Sequence, residues 1–365
     1  VSEAVSAVID ELGPAMWRGD FAGFHRLLVR LGGEGPQLAP DQLTAAIGQL
    51  APLLANQPGG VFARLALVAG AFTEWGGSPL ALAPYVPASA LRALQLRARF
   101  SELWPVAGGG RAEPDPDRAP SMDELVGTFE AAAGRLGLSE TEPTVIALSW
   151  FDVGHWVNLL MTVLAHRDFR AAAGLRAEIA EAAARLGDLV PGAHWLPGLA
   201  RVLDDEPVIV VDHTGRYGFR LAMSGVGDNC QLHTLLADRL IGDPARGFVP
   251  GEPPSPSWVA AATAAPPQLP PDDLVVRRFR LFDGSGAYIY PEGVPADISL
   301  TAGTRVIVLH PPRGPFAWTS GRTYAHMTPE LILDQVLSPA DTQMWHARIA
   351  PARETDLFGA AAPAR

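Results

Sequence analysis

The sequence predicts an α+β protein in two parts. An irregular helical bundle or loose α-solenoid comes first, then a smaller, mostly antiparallel sheet domain with one or two packed helices. Three observations carry this. Apolar residues recur three and four apart through most of the first 205 residues. Strand-like runs rich in β-branched residues follow, at 208–211 and 305–310. The length of 365 residues favours two cores over one. The expected organisation is a helical domain at 1–205, an α+β domain at 206–350 and a frayed tail at 351–365. A Pro/Gly-rich linker at 105–120 lies inside the first domain.

In order along the chain, Val5, Val8, Ile9 and Leu12 mark a first helix, expected to stop at Gly13-Pro14. Phe21, Phe24, Leu27, Leu28 and Leu31 mark a second, and Leu43, Ile47, Leu50 and Leu54 a third. Residues 61–75 are apolar nearly all round, as in a helix buried within a bundle. Further helices are expected at 88–104, from Ser121 or Asp123, at 142–166 and at 169–186, about eight before residue 206. The linker at 105–120 is either disordered or crosses the surface. These units do not repeat in sequence, which excludes tetratricopeptide and ankyrin arrays. In the second part, 274–283 and 287–290 read as paired strands around a turn at Gly284-Ser285-Gly286. Residues 305–310 read as a strand, and 330–349 as one or two helices broken at Pro339.

The stretch at 206–242 is where chemistry is expected. Residues 208–211 form a strand, His213-Thr214-Gly215-Arg216 a turn, and 217–223 the returning strand. Gly225 and Gly227 then lead to Asp228 or Asn229 as the cap of a helix carrying Leu232, Leu235, Leu236 and Leu240. A glycine loop entering a helix N-terminus favours an anion. It also places Cys230 and His233 three apart, where a helix dipole lowers a thiol pKa; the alternative is a small buried Cys and a packed His. The loop lacks the third glycine and the βαβ context of a dinucleotide fingerprint.

Composition excludes several functions. All 28 basic residues are Arg, with no Lys in the chain. A pyridoxal phosphate Schiff base, a P-loop nucleotide site and a kinase site all need one. The cofactor is otherwise unspecified. A net charge of −11 argues against nucleic acid or an anionic membrane as partner. One Cys excludes an intrachain disulfide and a multi-Cys metal site. The N-terminus lacks a basic segment followed by an apolar core, and no run of about 18 apolar residues occurs. A cytoplasmic protein is expected.

Three constellations compete. Cys230 and His310, with Asp283 or Asp297 to orient the base, have the chain order of a nucleophile at a helix start and a later His on a strand. That order resembles papain-like enzymes, although the residues flanking Cys230 match no papain-type signature. The resemblance implies a Cys230-dependent hydrolase or acyl transferase. Asp152 and His155, three apart on one helix, have metal-ligand spacing, whereas His166 lies about 16 Å further along the axis. The third constellation is a binding surface: Arg216, Tyr217 and Arg220 on the hairpin with Gly225, Gly227, Asp228 and Asn229, joined by Arg322 and Tyr324. Because no catalytic set is complete in the sequence, the leading expectation is a binding or accessory protein. Its partner would be a protein, a peptide or a small anionic ligand.

Overall fold

The computed structural model describes residues 3–55, 60–264, 274–314 and 316–353. It comprises two compact units, residues 1–201 and 202–365. The expected tail lies outside the described residues from 354 onward. Among the described residues no helix is long and apolar enough to cross a membrane.

The first unit holds ten α-helices among its described residues: α1 (Glu3–Trp17), α2 (Phe21–Glu34), α3 (Pro40–Leu50), α4 (Val61–Glu74), α5 (Val86–Ala107), α6 (Met122–Leu136), α7 (Glu142–Val163), α8 (Arg167–Ala172), α9 (Arg176–Leu186) and α10 (Leu196–Ala200). α7 packs on α4, α5 and α6, with Trp156 fully buried. Ser121, one of the two expected helix starts, accepts from Glu124 N at 3.1 Å, and Asp20 caps α2 by accepting from Gly23 N at 2.7 Å.

Three helical expectations are corrected. α1 runs through Pro14, because Leu12 and Ala15 continue its buried face and outweigh one lost rung. The segment at 142–166 ends at Val163, and His166 is an extended residue preceding α8. The segment at 169–186 breaks before Leu175, whose φ of 62° no helix accommodates. The linker crosses the surface and is pinned there. Trp104 Nε1 donates to Arg111 O at 3.0 Å and Ala112 O at 2.8 Å, and Glu113 pairs with the buried Arg97 at 2.8 Å.

The second unit contains β1 (Glu206–Asp212), β2 (Gly218–Ser224), α11 (Asn229–Leu240), α12 (Pro256–Thr263), β3 (Leu274–Val276), β4 (Arg280–Asp283), β5 (Leu300–Thr301), β6 (Thr304–His310), β7 (Ala317–Thr319), β8 (Glu330–Val336) and α13 (Pro339–His346). The main sheet runs β4-β6-β1-β2-β8, with β5 also on β6; β3 and β7 form a separate pair. Every pairing in the main sheet is antiparallel except β1 with β6. Strand alternation sorts the core onto two faces. Val208, Val210, Phe219, Leu221, Ile307 and Leu309 pack with α11. Ile209, Val211, Phe282, Val306 and Val308 pack with Trp345 of α13.

The turns after β1 and β4 share one device, Asp-x-Thr/Ser-Gly. Asp212 accepts from the amides of Thr214, Arg216 and Tyr217, and Asp283 from those of Ser285 and Ala287. Gly215 and Gly286 supply φ of 70° and 82°. The second turn closes only an isolated bridge, Phe282 to Tyr288, where a full strand is expected from the sequence. The strand expected at 274–283 splits into β3 and β4, because His233 takes the amides of Arg278 and Phe279 out of any ladder. Residues 330–336 form the edge strand β8 in place of the expected helix. Leu331 and Leu333 alternate onto the α11 face, and only the segment after Ser338 is helical.

Candidate functional site

The approach to α11 is built to be closed. Gly225 has φ of 64°, and a Cβ there would lie 2.6 Å from Thr328 O. A Cβ on Gly227 would lie 2.9 Å from the Tyr324 ring. Both glycines exist so that the segment 324–328 can lie directly on the loop. The helix N-terminus is then satisfied from within. Asp228 accepts from Gln231 N at 2.7 Å, Gln231 Oε1 accepts from Gly227 N at 2.8 Å, and Asn229 N donates to Gly293 O at 2.9 Å. The expected anion cradle at Gly225–Gly227 is therefore corrected: the amides of Gly225, Gly227, Asn229 and Gln231 are taken within the protein, and the loop is buried.

Cys230 is half-buried, and its thiol is pushed up to about 12, mainly by burial and then by the carboxylates of Asp228 and Glu292. That is the reverse of a dipole-activated thiolate. His233 is 4% exposed, and its Nε2 accepts from Arg278 N at 3.0 Å and Phe279 N at 3.1 Å. Two amides on Nε2 require the neutral tautomer with hydrogen on Nδ1. Burial, reinforced by the Arg277 and Arg278 charges, lowers its pKa to about 3. His233 cannot serve as base to Cys230, because its one basic nitrogen is already occupied.

His310 belongs to the other side of the sheet. It follows Val306 and Val308 in alternation, and its ring lies 4.7 Å from Phe282 and 5.1 Å from His213. The sheet separates it from α11, so the papain-like order does not become a Cys–His pair. Asp283 closes its own turn: burial raises its pKa, but hydrogen bonds from Ser299, Ser285 and Ala287 outweigh this and hold it low. Asp297 lies in the short turn Pro295–Asp297.

The basic surface also separates into parts. The Arg216 guanidinium lies over the Tyr217 ring at 5.6 Å, and Tyr217 packs on the α11-side core. Arg220 is exposed and shares the opposite face with Ile209. Arg322 is spent on Met327 O at 2.8 Å and Ala264 O at 2.6 Å, and Tyr324 is buried. In the first unit, Asp152 accepts from Gly60 N at 2.5 Å. Burial lifts its carboxyl to about 6 against the opposing effects of Gly60 and Arg64, and burial with Arg64 lowers His155. No group of three His, Cys, Asp or Glu side chains placed to hold a metal ion occurs among the described residues.

No protein family, curated protein or solved structure matches the chain.

One polar set was not legible in the sequence. Among the described residues, Asn229 Oδ1, His233 Nδ1 and Ser320 Oγ are buried and meet no hydrogen-bond partner, on residues 3%, 4% and 3% exposed. Asn229 and His233 are one turn apart on the same side of α11. The segment 318–323 runs along that side. Trp318 meets the His233 ring edge-on at 4.9 Å, and the Thr323 hydroxyl donates to the Asp228 carboxylate. Ser320 lies between these two anchors. The Asn229 amide cannot flip, because Nδ2 donates to Tyr290 O at 2.8 Å. The set therefore offers a fixed N–H donor, a fixed carbonyl acceptor and a hydroxyl. Leaving one such group unpaired costs about 1–3 kcal/mol, so three together mark a place for a polar guest. The i, i+4 spacing of Asn229 and His233 was the available signal; Ser320, far along the chain, gave none.

Proposed function

We propose that this is a binding or accessory protein whose α+β unit captures a small polar ligand between α11 and the segment 318–323. The observation that carries the reading is the set of unpaired buried groups on Asn229, His233 and Ser320. Supporting it, Cys230 is held as a thiol and His233 has no free basic nitrogen, so these groups suit recognition better than acyl transfer.

The test is equilibrium dialysis of the full chain against a small-molecule extract, with retained compounds read by mass spectrometry. Wild type should retain a compound that Ser320→Ala loses. Identical retention by both proteins would overturn the reading.

A further inference from the structure

We propose that β8, the open edge of the main sheet, is a docking strand for an extended, positively charged peptide. The two edges of that sheet are finished differently. At the β4 edge the chain folds back on itself. Asp283 N donates to Ala287 O at 2.8 Å, Ile289 N donates to Leu281 O at 2.9 Å, and Phe282 bridges to Tyr288. At the other edge β8 pairs with β2, and no strand among the described residues takes its outer side. Such an edge presents N–H and C=O groups that a further strand can bond. Edges are ordinarily blunted by short length, a proline or a lysine. β8 is seven residues long, and its sequence ELILDQV holds neither proline nor lysine. Leu331 and Leu333 face α11, so Ile332 points the other way, where it is 47% exposed. The one blunting device present is a bulge, which leaves Asp334 without a partner on β2 and keeps uninterrupted pairing to 330–333. The edge therefore has room for one short strand.

The side chains select the occupant. The exposed residues of β8 are Glu330, Ile332, Asp334 and Gln335: two acids around one apolar residue, with no cation. Asp334 enters no ion pair among the described residues. Arg220 lies on β2, opposite Gln335. Two strand spacings, about 9–10 Å, would separate it from an added strand, roughly one Debye length. Directly opposed charges of unlike sign stabilise a strand pair, and like charges destabilise it. A second copy of β8 would bring acids to an acidic edge, on a chain whose net charge is already −11. A strand with a cation two residues to either side of a β-branched residue meets Glu330 and Asp334 with its charges and Ile332 with its branch. This surface uses none of the residues of the α11 polar set.

The experiment selects random seven-residue peptides displayed on phage against the immobilised full chain, then titrates the enriched peptides by fluorescence anisotropy. Enriched peptides should carry Arg or Lys four residues apart around a β-branched residue. They should bind Asp334→Lys and Ile332→Lys at least about tenfold more weakly than wild type. Both positions are exposed, and circular dichroism verifies that the variants fold. N-methylation of one alternate set of peptide amides should abolish binding, and methylation of the other set should not, because an added strand turns only every second residue's N–H toward its neighbour. Enrichment of acidic or uncharged peptides, or of none, overturns the proposal. So does a cationic peptide that binds Asp334→Lys as well as wild type or tolerates methylation at every amide, since it is held by general ionic attraction elsewhere. A dimer in light scattering that Ile332→Lys converts to monomer would give the edge to a second copy and overturn the peptide as occupant.

Discussion

Alkylation of Cys230 tests the electrostatics around α11 most directly. It is the one cysteine in the chain, so mass spectrometry reads its modification without ambiguity. Raising a thiol from 9.0 to about 12 lowers its thiolate fraction at pH 8 roughly a thousandfold. Iodoacetamide should therefore modify native protein about a thousand times more slowly than protein in denaturant, before any steric shielding is counted. Between pH 7 and 10 the rate should rise about tenfold per pH unit with no plateau. Removing the neighbouring charges in Asp228→Asn and Glu292→Gln should speed the reaction by less than the full factor, because burial is the largest cause of the shift. Asn is itself a good helix cap, so the first variant should keep α11 intact. A plateau by pH 9, or a native rate within about tenfold of the denatured one, would refute the argument and restore a dipole-activated thiolate.

Two further outcomes follow from the geometry. Gly225→Ala combines a left-handed backbone with a Cβ 2.6 Å from Thr328 O. It should cost about 2–4 kcal/mol in urea unfolding, and a loss below about 1 kcal/mol would show that the 324–328 segment yields easily. Asp152 sits at about 6 when folded against an ordinary 3.8, so folding disfavours its ionised form. Its contribution is full below pH 3.8 and lost as pH rises through 6, by about 3 kcal/mol in all. Asp152→Asn, which keeps an acceptor for Gly60 N, should flatten that part of the stability profile and raise the melting temperature at pH 7.5; identical profiles would refute the assignment.

The divide between what was legible in the sequence and what was not follows the range of the interactions. Helical periodicity, the caps at Ser121 and Asp228, and the turns at 213–216 and 284–286 all act within a few residues, and each left its mark in the sequence. So did the α+β plan, because apolar spacing reports which face of an element is buried. Only tertiary contacts decided the rest. Residues 330–336 became a strand because β2 had an unpaired edge and α11 an open apolar face. The strand expected at 274–283 broke because an imidazole 45 residues away in sequence claimed an amide. Cys230 and His310 parted because alternation set His310 on the far side of the sheet. Asn229, His233 and Ser320 are buried only because residues 318–323 pack along α11. A hydrogen-bonding group shows its unmet need only once the fold has removed its solvent.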